Sequence, residues 1–82
     1  MKVEFFEVGR NKRSWVADTS AIHKDDLNED GAPSSEWLAR EAKSRGGLLS
    51  NDVDVAGDDL ANLEVIVGGF RAVGRCKVEL TS

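Results

Sequence analysis

The last third of this chain alternates with a period of two. From Phe70 the even positions carry Phe70, Ala72, Gly74, Cys76, Val78 and Leu80, and the odd positions carry Arg71, Val73, Arg75, Lys77 and Glu79. Side chains along a strand point to opposite faces in turn, so the even set forms a dry face and the odd set a mostly wet one. Upstream, Leu63, Val65 and Val67 make the matching dry face of a preceding strand, and Gly68-Gly69 lies between the two. A two-residue hairpin turn asks for positive φ at its central residues, a region open to glycine. With that turn Val67 is expected opposite Phe70, Val65 opposite Ala72 and Leu63 opposite Gly74. Large residues then meet small ones, and the dry face needs a second layer to cover it.

The rest of the chain supplies that layer. Val3–Val8 reads as a strand with Val3 and Phe5 on one side and Phe6 and Val8 on the other, which suggests an interior place in a sheet. Gly9–Lys12 is a turn, and Ser14–Asp18 returns antiparallel, with Phe6 expected to face Trp15 and Phe5 to face Val16. Apolar residues thin out from Thr19 to Pro33, which reads as a loop, acidic over 23–33, with a helical turn near Ala21–Lys24. Ser34 is an N-cap for a helix over Ser35–Arg45, with Trp37, Leu38 and Ala42 on one arc, and Gly46-Gly47 stops it. Asp52–Val55 alternates and makes a short strand. The fold class is therefore α+β: a small antiparallel sheet of four to five strands, built from two β-hairpins and packed against one α-helix, in the order β-β-α-(β)-β-β. The 82 residues make a single domain.

Composition excludes several functions. Fifteen acidic against eleven basic residues give a net charge of −4, which argues against a general nucleic-acid binder. The single cysteine, Cys76, rules out an intrachain disulfide and any multi-cysteine zinc site, and its dry-face position makes it a small buried hydrophobe. No apolar run is long enough for a membrane span or a secretory signal, so the expected setting is cytoplasmic, with no membrane partner. Catalytic groups are sparse. His23 stands alone in a loop, the serines lack a nucleophile-elbow context, and the glycine pairs lack a phosphate-loop lysine. No enzyme and no cofactor are expected.

Charge clusters remain. Asp26-Leu27-Asn28-Glu29-Asp30-Gly31 opens like a calcium loop, with oxygens at its first, third and fifth positions and glycine at the sixth. Asp26, Asn28, Asp30 and Glu36 are the candidate ligands over 26–36. Trp37 occupies the twelfth position, where a bidentate glutamate belongs, and Glu36 falls one residue short. A second acidic set is Asp52, Asp54, Asp58 and Asp59. Together with Asp25, Asp26, Glu29 and Asp30 it forms a candidate anionic surface for a basic protein or protein complex. The alternative surface is basic: Arg71, Arg75 and Lys77 on the wet face of the last strand, joined by Arg10, Lys12 and Arg13 of the first turn if the two hairpins are neighbours. RNA or DNA binding there would need exposed aromatics among the charges, and that face offers Val73 and Ile66 instead.

The expectation is a small non-catalytic binding protein that acts by occupying a surface of a macromolecular partner through its acidic loops. In size and charge type the chain is similar to compact phage anti-defence inhibitors, anti-CRISPR proteins among them; the similarity is one of type and carries no residue over. A calcium-binding module and a small nucleic-acid-binding domain are the alternatives. A monomer or a homodimer fits the sequence, the latter by pairing Cys76–Leu80 or Val3–Val8 as sheet edges.

Overall fold

The computed structural model describes residues 1–20 and 22–80. Five strands, β1 (Lys2–Val8), β2 (Arg13–Val16), β3 (Val53–Ala56), β4 (Leu63–Val67) and β5 (Arg71–Glu79), form one antiparallel sheet in the order β2-β1-β5-β4-β3. One helix, α1 (Ser35–Gly46), lies between β2 and β3 in sequence and packs mainly along β3. The α+β class and the element order are those expected from the sequence.

The helix begins and ends where its residues dictate. The Ser34 hydroxyl accepts the Trp37 N–H at 3.2 Å, and Gly47 takes the left-handed conformation at φ 67 with its N–H on the Lys43 carbonyl. Two cations hold carbonyls at and beyond its C-terminus, where the helix dipole favours positive charge: Arg13 on Arg45, and Lys43 on Leu48 and Ser50. Leu38 and Ala42 are buried, and Trp37 packs half-buried beside them. The apolar side of the sheet that they meet consists of Val3, Phe5, Val8, Val55, Leu63, Val65, Cys76 and Val78. The helical turn expected near Ala21–Lys24 is a 3-10 turn over Lys24–Asp26; Ala21 lies outside the described residues.

The last hairpin departs from its expected register. Val67 pairs with Arg71, so the loop holds three residues, Gly68, Gly69 and Phe70, with the two glycines at φ 64 and φ 81. Phe70 therefore stands at the tip, 88% exposed, and not on the dry face. A β-bulge follows: Ile66 pairs with Ala72 but Val65 with Gly74, leaving Val73 as an extra residue. From there the even positions return to the core, with Cys76 opposite Leu63 and Val78 buried. The bulge sets Gly74 beneath Val8, where a β carbon would lie 2.7 Å from Cγ2 and 2.9 Å from Cα of Val8. The longer turn and the bulge together bring the residue without a side chain to the place that tolerates none.

A matching irregularity lies in β1. Glu7 has φ 50 at a register shift between Phe5 and Val8, and its N–H is taken up by the Ser14 hydroxyl at 3.0 Å. Val8 thereby joins Val3 and Phe5 in the core, and Phe6 stays half-buried. The first hairpin pairs Phe5 with Trp15 and Glu4 with Val16, one residue from the expected register. Ring stacking accounts for the difference: Phe5 and Trp15 lie 4.7 Å apart at 14°, and the indole N–H reaches Glu41 of α1.

The expected sheet edges are also corrected. β1 is flanked by β2 and β5, and β5 by β1 and β4, so neither Val3–Val8 nor Cys76–Leu80 is an edge; β2 and β3 are. The strand with the most buried side chains, β1, takes an interior place between β2 and β5, as burial requires. Replacing Gly74→Ala should therefore force Val8 and its backbone aside, lowering stability by about 1–3 kcal/mol. Urea denaturation of the variant would read this as a lower midpoint with an unchanged slope.

Candidate functional site

The antiparallel order sorts the connections to two ends of the sheet. At one end lie the β1–β2 turn, the β4–β5 turn, the C-terminus of α1 and the start of β3, joined by Gly9 N–H to Val73 (2.9 Å) and Gly68 N–H to Asp52 (3.0 Å). At the other lie Met1, the segment entering α1, and the β3–β4 connection, joined by Ala17 N–H to Val3 (2.8 Å) and Val78 N–H to Leu60 (2.7 Å). The first is the turn end and the second the loop end.

The acidic loop is built, not loose. His23 Nδ1 accepts the Asp25 N–H at 3.2 Å, Leu27 and Pro33 form a bridge, and Asn28 N–H reaches the Ala32 carbonyl at 2.8 Å. Asp30 Oδ1 accepts the Ala32 N–H at 3.0 Å. Asp26 meets Arg40 of α1 at 3.1 Å, tying the loop to the helix. Asp26 and Asp30 thus hold the loop together; Asp25, Glu29 and Asp30 are all exposed, and the Asp25 carboxylate lies 3.3 Å from His23 Nδ1. The calcium ligands expected over 26–36 do not converge. Asp26 is turned to Arg40, the Asn28 amide donates to the Pro33 carbonyl at 3.5 Å, and Glu36 is exposed on the first turn of α1. Among the described residues no three His, Cys, Asp or Glu side chains gather as a metal-holding group.

The second acidic set is split by the fold. Asp58 and Asp59 fall in the β3–β4 connection at the loop end, where Asp59 Oδ1 accepts the Ala61 N–H at 2.9 Å. Asp54 sits within edge strand β3, its Oδ1 on the Val55 N–H. Asp52 lies at the turn end beside Gly68 and Gly69. The connections at the loop end therefore carry Asp25, Asp26, Glu29, Asp30, Asp58 and Asp59, with Lys24 in the same loop and Arg40 on Asp26.

The basic set divides as well. Lys77 pairs with Glu79 at 2.9 Å, a contact that raises the lysine pKa and lowers that of the carboxyl, and Glu4 stands opposite in register. Arg75 lies between Phe6 of β1 and Glu64 of β4. The wet side of the hairpin is thus mixed in charge. Arg71 alone of the three stands at the turn end, with Arg10 and Lys12. Charge separates along the strands and not between the two faces of the hairpin.

Cys76 is buried, and that burial pushes its thiol up to about 12. His23 is exposed in the acidic loop, so no Cys–His pair forms. No described helix is long and apolar enough to cross a membrane. The sequence reading missed a cleft of about 590 Å³ at the turn end, between the β1–β2 turn, residues 47–50 and the start of β5. One signal was present: Leu48-Leu49, two apolar residues directly after a helix stop. Leu49 is 96% exposed.

Comparison of the chain with protein-family models, with curated proteins and with solved structures finds no match. The surfaces themselves carry the functional argument.

The Cys76 thiol gives a pH signature. The unfolded chain releases this proton near 9.0 and the folded chain near 12, so between those values the folded state holds more protons. The stability it contributes is complete below the unfolded value and is lost as the pH rises toward the folded one. Urea midpoints of the parent should fall more steeply than those of Cys76→Ala between about pH 8 and about pH 10. Parallel pH dependences would show that the thiol is not protected.

Proposed function

We propose that this protein is a non-catalytic binding module whose loop end occupies a basic surface of another protein. The observation that carries the reading is the gathering of six carboxylates at that end from two separate segments, residues 25–30 and the β3–β4 connection. Backbone hydrogen bonds and the Asp26–Arg40 contact hold the loop in shape, so binding would order little additional chain. A rigid anionic surface steers association with a basic partner and fixes its orientation. In its finer form the proposal makes the protein an inhibitor of the phage anti-defence type, anti-CRISPR proteins included. The carboxylates would then fill a basic groove that otherwise holds nucleic acid.

The fold singles out which acids to change. Asp26, Asp30 and Asp59 hold their own loops, so replacing them would confound binding with loop structure. Asp25→Lys, Glu29→Lys and Asp58→Lys change exposed carboxylates that make none of those loop-holding bonds. Affinity capture from host extract should recover a basic partner with the parent chain at low salt, and lose it with the triple variant. Association rates with that partner should fall about tenfold or more, with a shallower salt dependence. Equal capture and equal rates would dismiss the acidic end as the binding surface.

A further inference from the structure

The turn end carries a second, chemically opposite surface. Its cleft of about 590 Å³ is within the size range of small-ligand pockets. Apolar residues from three separate segments line it: Leu48 and Leu49 after the helix, Val67 from β4 and Val73 at the bulge. Its charged lining is Arg10 and Arg71, and no acidic side chain lines it. Neither arginine has an ion pair among the described residues, whereas Lys2, Arg40, Arg45 and Lys77 do. Leu49 and the neighbouring tip residue Phe70 are the two most exposed large apolar side chains described, at 96% and 88%.

We propose that this cleft docks an acidic peptide segment of a partner protein, with a large apolar side chain between Leu48 and Val73 and flanking carboxylates on Arg10 and Arg71. Charge complementarity sets the sign of the occupant, since two unpaired guanidiniums favour bidentate contact with carboxylates. The apolar lining sets its class. An open, largely apolar cleft of that volume flanked by charges suits a short peptide segment, while single-stranded nucleic acid asks for aromatic platforms along a basic track. Phe70 is a lone aromatic at the tip and does not line the cleft. The surface stands at the opposite end from the acidic loops, and the inference is independent of their role.

Backbone amide NMR of the full chain provides the test. The probes are the peptide Asp-Glu-Leu-Glu-Asp, its neutral analogue Asn-Gln-Leu-Gln-Asn and an octauridylate. The acidic peptide should shift the amides of residues 9–11, 47–50 and 71–73 at low salt. The neutral analogue should shift them at least about tenfold more weakly, and the double variant Arg10→Glu/Arg71→Glu should abolish the response, as loss of charge-assisted contacts implies. Both arginines are exposed, and amide spectra of the variant with unchanged core resonances would show that the fold is intact. The proposal is overturned by an absence of shifts at millimolar peptide, or by equal shifts with the neutral analogue. It is also overturned if the octauridylate binds the same amides more tightly, or if those amides move with protein concentration alone, which would assign the cleft to a second copy.

Discussion

Val8 lies over Gly74 so closely that a β carbon at position 74 would come within 2.7 Å of it. That contact is where the first strand meets the last, and the rest of the sheet is arranged to allow it. Glu7 adopts a positive φ so that Val8 turns inward, and Val73 is expelled from the ladder so that Gly74 arrives beneath it. Each irregularity costs regular hydrogen bonding. The bulge in β1 recovers one such bond through Ser14, and Val73 accepts from Gly9. Bulges that re-aim side chains are conformational devices, and here a pair of them joins two local hairpins into one five-stranded sheet.

The same junction shapes the turn end. Because β1 ends against the start of β5, the two tight turns stand side by side, and the C-terminus of α1 is drawn in above them through Gly46, which packs on Val8 and Trp15. Of the residues after the helix stop, Leu48 packs half-buried against the core and Leu49 is left 96% exposed. The cleft is thus a consequence of how the hairpins meet. A regular β5 would have placed Phe70 on the sheet and removed both the exposed ring and the recess at Val73.

How far the sequence spoke depended on the range of the interaction involved. The helix limits were legible because Ser34, Gly46 and Gly47 act within a turn of themselves. The strands of the last hairpin were legible from their period of two. Their register was not, because it is decided by Gly74 against Val8, residues 66 positions apart in the chain. Phe5 over Phe6 as the partner of Trp15 follows from stacking and from the reach of the indole to Glu41 on the helix, again a long-range choice. The acidic residues were visible as a composition, but their division between loop-holding and exposed carboxylates needed the contacts of Asp26 and Asp30. The cleft was hardest to foresee, since three segments far apart in sequence contribute to it.

A net charge of −4 describes this molecule poorly, for a physical reason. Strand β5 alone runs from Arg71 at the turn end to Glu79 at the loop end, a span of about 27 Å at roughly 3.4 Å per residue. The Debye length at physiological ionic strength is about 8 Å, so the two ends are screened from each other by roughly three decay lengths. A partner approaching one end therefore feels the local field of that end, not the total. Carboxylates at the loop end and arginines at the turn end act as separate surfaces of opposite sign on a scaffold 31 Å in its longest dimension. Raising the salt weakens each within its own reach. Neutralising one end leaves the field at the other almost unchanged, so the two can be altered independently.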